Sequence, residues 1–231
     1  SGRVRGRAAR RRAEEDKRLS MHSVRDKLKF FSQFLRNPKM IGSVIPTSDS
    51  AIATMLSRVD WAQTRLFVEY GPGMGTFTRP ILAQLRADAR LVVIDTCPSF
   101  VAHLRASIDD PRLRVVHGSA ADVETILGTR TGGDRADYVL SGLPLSTLPA
   151  GVAEQIAEST ARALRPGGSF LIYQYSRWFL RLLDPWFARV DHRWVWPNIP
   201  PCVIAEARTE EDALAGEVQA AGNLVIEHPD K

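Results

Sequence analysis

The sequence predicts an α/β fold, a mainly parallel sheet with helices on both faces. Three observations carry that prediction. Short apolar runs alternate with helical segments through residues 66–174. The first run, Leu66–Tyr70, leads into Gly71-Pro-Gly-Met-Gly75, and the second, Arg90–Asp95, closes on an acid. A later Leu164-Arg-Pro-Gly-Gly168 turns into a further run. A strand ending in glycines beside a strand ending in a carboxylate suits a nucleoside. Glycine lets the backbone approach a ligand without a Cβ, and the carboxylate accepts hydrogen bonds from ribose hydroxyls.

The elements follow in chain order. Residues 1–20 are poor in apolar side chains and read as a basic, disordered leader. From His22 to Arg36 the pattern is helical: Val24, Leu28, Phe31 and Leu35 form one stripe, widened by Phe30 and Phe34. Arg25, Lys29 and Arg36 project from the other face, and Lys27 lies in the apolar arc, where its stem can snorkel. Asn37-Pro38 ends this helix, a linker with Gly42 and Pro46 follows, and Thr47 or Ser48 caps a helix over residues 50–58.

Strands are expected at Leu66–Tyr70, Arg90–Asp95, Leu113–His117, Ala136–Ser141 and Ser169–Gln174. Helices are expected over residues 76–87, 99–108, 122–127 and 151–164. After Pro185 a Trp- and Pro-rich stretch suits an edge hairpin that ends in a strand at Cys202–Ala207. The domain reading is a leader (1–20), amphipathic helices (21–60), a catalytic domain (61–207) and a tail (208–231).

Composition narrows the partners. A chain of 231 residues with 44% hydrophobic content suits one soluble domain with tails. Residues 1–39 carry thirteen Lys/Arg against four acids, a net +9, so the rest of this +5 chain sums to −4. A basic arm on a slightly acidic body points to nucleic acid or an anionic membrane face. No apolar run approaches the roughly 20 residues that span a bilayer, and no secretory signal is seen, so a cytoplasmic protein is expected. Cys97 and Cys202 read as small residues in a reducing compartment.

Open α/β sheets bind ligands beyond the carboxyl ends of their strands. That rule selects Glu69, Gly71, Gly73 and Gly75 after the first strand, and Asp95 and Thr96 after the second. It adds Ser119 and Ala120 after the third, along a base, and Ser141 with Gly142-Leu-Pro144 after the fourth, at the reacting group. The glycine spacing departs from the dinucleotide pattern G-x-G-x-x-G, with Thr76 standing at the last glycine position. The histidines at 22, 103, 117, 192 and 228 are scattered, so no metal is expected, and no Gly-x-Ser-x-Gly elbow is present.

With Glu69 before the glycines, the set resembles the S-adenosylmethionine (SAM) site of a class I methyltransferase, a Rossmann-like seven-stranded fold. More specifically, the chain resembles the bacterial phospholipid N-methyltransferases from about Phe30 to Ala207. The resemblance rests on Phe31-Ser-Gln-Phe-Leu-Arg-Asn-Pro-Lys39, Ile41-Gly-Ser-Val-Ile-Pro-Thr-Ser48, Val68-Glu-Tyr-Gly-Pro-Gly-Met-Gly75 and Ser141-Gly-Leu-Pro-Leu145. Leu164-Arg-Pro-Gly-Gly168, Tyr173-Gln-Tyr175 and Trp196-Pro-Asn-Ile-Pro-Pro201 complete it.

It implies methylation of phosphatidylethanolamine towards phosphatidylcholine, with SAM as cofactor and S-adenosylhomocysteine as product. It also implies a protein held at the inner leaflet of the cytoplasmic membrane by Lys27, Lys29, Phe30, Phe31, Phe34 and Leu35. Ser141, Tyr173 and Tyr175 would serve catalysis, the tyrosines favouring alkylated ammonium through cation–π attraction. Trp196, Asn198 and Ser48 would bind substrate. No nucleic-acid partner is implied.

Three rivals stand beside this reading. Ornithine-lipid or other amino-lipid N-methylation is the nearest. An RNA adenine N6-dimethyltransferase would carry Asn-Leu-Pro-Tyr where this chain has Gly142-Leu-Pro-Leu145, which lacks the amide and the ring that hold a flipped base. A non-catalytic SAM-fold module on membranes is the third.

Overall fold

Period-two alternation decides which face each strand residue serves. The computed structural model describes residues 49–195 and 202–211, all within a compact unit that begins at Pro46. Strand β1 (Leu66–Tyr70) is buried at every position, as a strand covered on both faces must be. Leu66, Val68 and Tyr70 join one apolar cluster while Phe67 joins another. Strands β2 (Arg90–Asp95), β3 (Leu113–His117) and β4 (Ala136–Ser141) lie parallel to it. So does β5 (Leu164–Gln174), whereas β7 (Cys202–Arg208) runs antiparallel to both β5 and β6 (Arg189–Val195).

The seven-stranded order is β3-β2-β1-β4-β5-β7-β6. Order reverses between β1 and β4, and that crevice is where a ligand belongs. Helices α1 (Asp49–Leu56), α2 (Thr78–Gln84) and α3 (Pro98–Ser107) pack on the Phe67 face. Helices α4 (Val123–Leu127), α5 (Val152–Ala163) and α6 (Leu180–Leu183) cover the Val68 face. This is the expected fold, a Rossmann-like mostly parallel sheet with helices on both faces. The expected helix at 50–58 forms at Asp49–Leu56, and its Ala51, Met55 and Leu56 are part of the core.

Three elements differ from the sequence reading. Helix α2 starts at Thr78 because the preceding residues stay in the glycine turn, and it ends where Leu85 turns extended at φ −68°, ψ 137°. Strand β5 begins five residues early: Leu164 pairs with Ala136, and the register then shifts so that Tyr138 meets Ser169. The Arg165–Gly168 bulge takes up the slack, with Gly167 at φ +68°. Helix α6 was not foreseen. Its Leu183, with Phe179 and Phe187, fills the core beside Phe170, and Phe187 stacks on Phe170 at 5.9 Å.

At the amino-terminal ends of the strands, a carboxylate holds the sheet together. Asp137 on β4 accepts the backbone N–H groups of Arg65 and Leu66, both at 2.8 Å, and pairs with Arg165 at 2.5 Å. Buried Glu206 on β7 likewise accepts from Ser169 (2.9 Å), Arg58 (3.0 Å) and Arg208 (2.9 Å). An unsatisfied buried donor costs about 1–3 kcal/mol. Asp137→Ala strands two N–H groups, so it should lower unfolding free energy by about 2–4 kcal/mol in urea titration, with Asp137→Asn losing about half as much.

Candidate functional site

The sequence forces a turn at the end of β1. Gly71, Gly73 and Gly75 adopt φ of +63°, +55° and +90°, a left-handed run that side chains resist. A Cβ on Gly71 would come within 2.5 Å of Leu143 Cδ2, so the loop after β4 closes onto the loop after β1. Gly73, by contrast, faces open space, with nothing within 4 Å of an added Cβ. The strand hydrogen bonding continues into both loops, through Gly71 N–H to Ile94 O (3.0 Å) and Gly142 N–H to Tyr70 O (3.2 Å).

Asp95 ends β2 beside this turn. Its carboxylate accepts from Cys97 N–H at 2.8 Å and, more loosely, from Gly73 N–H at 3.4 Å. Burial raises its pKa, opposed by these N–H groups and by the charge of His117. Thr96 follows, its carbonyl 3.1 Å from His117 Nε2. Gly118 N–H bonds Asp95 O at 3.0 Å, which brings the β3 end alongside. There Ser119 caps a 3-10 turn, accepting from Ala121 N–H at 3.2 Å, and Ala120 is buried against α5.

Glu69 shares the face of Phe67 and is buried beneath the glycine turn. It accepts from Thr78 Oγ1 at 2.7 Å. Burial pushes its pKa up to about 8, the Asp95 charge adding to the rise and the Thr78 bond opposing it.

On the other side of the crevice, Ser141 ends β4 fully buried, its hydroxyl accepting from Leu143 N–H at 3.2 Å. At the end of β5 the Tyr173 and Tyr175 hydroxyls meet at 2.9 Å, and the two rings stand edge to face. Tyr173 also meets Phe77 edge to face at 6.3 Å, which ties the tyrosine pair to the residue that follows the glycine turn.

The structure therefore brings together Glu69, Gly71, Gly73, Gly75, Asp95 and Thr96, with Ser119 and Ala120 beside them and Ser141, Tyr173 and Tyr175 across the crevice. Ser48, Trp196 and Asn198, and Lys27, Lys29, Phe30, Phe31, Phe34 and Leu35, lie outside the described residues.

Sequence reading missed three contributors. Thr78 holds Glu69 across nine residues, a contact that only the turn creates. Phe77 gives the Tyr173 ring its partner. Gln174 donates to the Leu143 carbonyl and so fixes the loop after β4, although only its position inside Tyr173-Gln-Tyr175 marked it. Among the described residues, no group of three or more His, Cys, Asp or Glu could hold a metal, and no helix is long and apolar enough to cross a membrane.

The chemistry fits SAM. The space beside Gly73 is open, and the Asp95 carboxylate next to it is of the kind that accepts hydrogen bonds from ribose hydroxyls.

Two tests follow. Asp95→Ala should weaken SAM binding by about 10–100-fold in calorimetry, the equivalent of ~1.5–3 kcal/mol for hydrogen bonds to a charged group, with folding intact. Glu69 is protonated more readily folded than unfolded, so its contribution to stability is full below pH 4.5 and is lost as pH rises to about 8. Melting temperature of the ligand-free protein should carry that decline, and Glu69→Gln should remove it.

Known proteins agree with the geometry. A family model described as a methyltransferase domain matches residues 67–168. An ornithine lipid N-methyltransferase of Singulisphaera acidiphila is 29% identical over 184 residues, covering 77% of this chain and 93% of the relative. A ribosomal RNA small subunit methyltransferase H of Bordetella pertussis is 40% identical over 91 residues, 37% of this chain but 25% of that relative. The solved N-methyltransferase NodS of Bradyrhizobium japonicum, in complex with S-adenosylhomocysteine, superposes with a TM-score of 0.59 at 15% identity, covering 73% of this chain and 90% of that one. The glycine turn, Asp95 and the 3-2-1-4-5-7-6 sheet give this chain the fold of class I methyltransferases, and these findings support a SAM-dependent methyltransferase.

Proposed function

We propose that the protein N-methylates the amine of an amino-lipid at a membrane surface, with ornithine lipid ahead of phosphatidylethanolamine as substrate. One observation carries this reading: the similarity to an ornithine lipid N-methyltransferase extends over 93% of that relative rather than over the cofactor region alone. The ribosomal RNA relative matches across a quarter of its length, as a shared cofactor region would. The loop after β4 also favours a lipid. Leu145 is spent in the core and Leu143 leans on Gly71, so neither offers the amide or ring that grips a base.

The residues divide the work as follows. Gly71–Gly75 and Asp95 hold the SAM, with Thr96, Ser119 and Ala120 along its adenosine. When bound, SAM supplies a methyl made electrophilic by its sulfonium. The protein aligns the amine and excludes water, the positional part of catalysis. The amine must lose its proton first. Apolar surroundings lower an amine's pKa so that its proton leaves to water, and the Tyr173–Tyr175 hydroxyl pair can accept a hydrogen bond from the neutral amine. The tyrosine faces favour the cation formed as methyl groups accumulate. Ser141 acts by shaping the loop through its bond to Leu143 N–H. Ser48, Trp196 and Asn198 are proposed to border the headgroup, and Lys27, Lys29, Phe30, Phe31, Phe34 and Leu35 to dock the amphipathic segment on anionic lipid.

Labelled SAM with vesicles containing ornithine lipid, phosphatidylethanolamine or neither, and with RNA in a parallel reaction, tests the reading. Radioactivity is expected in the amino-lipids. Label in RNA and in neither lipid would overturn it.

A further inference from the structure

Exposed large apolar side chains are few among the described residues, and their placement is uneven. Met74, Tyr175, Trp178, Trp186 and Trp194 are 38–56% exposed. Four of the five lie at the carboxyl ends of the parallel strands, where the site opens. Met74 belongs to the glycine turn after β1, and Tyr175 and Trp178 directly follow β5. Trp194 opposes Val203, which opposes Gln174, so it is level with the end of β5. The fifth, Trp186, follows α6, and the Arg162 guanidinium covers its ring at 5.8 Å. Solubility alone gives no reason for four such side chains to gather on one rim.

The charge on this rim has one sign beside the aromatics. From Phe170 to Leu183 there is no acid, while Arg177 and Arg181 are both exposed. Neither forms a side-chain hydrogen bond or ion pair with another described residue. The loop is anchored: Phe179 and Leu183 are buried, and Ser176 Oγ accepts from Trp178 N–H at 3.3 Å. An anchored loop presenting Tyr, Trp and unpaired Arg matches the headgroup level of a bilayer. There, ring faces enter the apolar boundary while N–H, O–H and guanidinium groups stay among phosphates.

We propose that Tyr175–Trp178, flanked by Met74 and Trp194, is a bilayer-contact surface for anionic lipid that seats the mouth of the site against the headgroups. The proposal rests on the amino-lipid reading and deepens it. A lipid amine reaches only as far as its headgroup, so the rim carrying Tyr175 must itself meet the membrane. The surface lies within the catalytic fold, and its residues are other than those of the amphipathic sequence at 22–36.

The test uses the full chain and vesicles of phosphatidylcholine and phosphatidylglycerol without any amino-lipid, so that docking is read apart from turnover. Arg177→Gln/Trp178→Ser should weaken sedimentation with these vesicles tenfold or more, while S-adenosylhomocysteine affinity stays within about twofold of the parent. Arg177→Gln alone, which leaves apolar packing untouched, should weaken it about fivefold, corresponding to the ~1 kcal/mol of a surface cation, and this loss should vanish at high salt. Trp186→Ser, which changes another exposed tryptophan, at the other end of the fold, should bind like the parent.

Equal binding by parent and double variant overturns the proposal, as does an equal loss in Trp186→Ser. A change in self-association without a change on vesicles assigns the rim to a second copy of the chain and overturns it too. If the double variant loses vesicle binding while the parent methylates no lipid, the surface stands and the substrate reading falls. If lipid methylation proceeds and the variant docks undiminished, the surface falls alone.

Discussion

The structure depends on the left-handed turn that closes β1. A five-residue strand buried on both faces delivers the chain into the crevice between β2 and β4, and only glycine can reverse it there at φ +63°, +55° and +90°. The absence of a Cβ at Gly71 lets Leu143 occupy that space, so the loops after β1 and β4 share one packing contact. The same turn sends Gly73 N–H towards Asp95 and delivers Phe77 to Tyr173 and Thr78 to Glu69. The loops after β1, β2 and β4 are therefore one mechanical unit. A side chain at Gly71 would disturb all three, while one at Gly73 would mainly fill the open cradle.

The electrostatics follow from that closure. Glu69 and Asp95 are carried into the interior by strand register, not by ion pairing: neither has a salt bridge to a described residue. Hydrogen bonds offset only part of the cost of burying them, and Glu69 holds its proton to about pH 8. The carboxylates at the opposite end of the sheet are built differently. Asp137 and Glu206 meet arginines and backbone or hydroxyl donors, and their role is to hold strand ends together.

What was legible in the sequence tracks how locally each feature is encoded. The first four strands could be read to the residue because apolar runs bounded by glycine or an acid admit no other ends. Helix ends were less legible, since the glycine turn consumes residues 76 and 77 that have helical pattern, and a bulge moves the start of β5 back to Leu164. The candidate cofactor residues were visible because each follows its own strand. Thr78, Gln174 and Asp137 were not, because their partners lie 9, 31 and 71 residues away and meet only through the sheet. The longer motifs pointed to phosphatidylethanolamine, whereas a relative aligned over 93% of its length acts, by its name, on ornithine lipid.

That difference has a physical basis in the site. A primary amine on a flexible headgroup presents the same reacting atom in either lipid, and the residues nearest the proposed reaction are the Tyr173–Tyr175 pair and a loop of Gly142-Leu-Pro-Leu145. None of these carries a charge that would distinguish the phosphate of one headgroup from the carboxylate of the other. Discrimination must then come from groups farther along the headgroup, and on the described rim the exposed cations are arginines. Arginine binds phosphate and carboxylate alike through its planar fork. On the proposed reading, a site of this construction would select for an amine that is neutralised, tethered to a bilayer and small enough to pass the tyrosines. On that argument the lipids available in the membrane, more than the pocket, would set which amine is methylated.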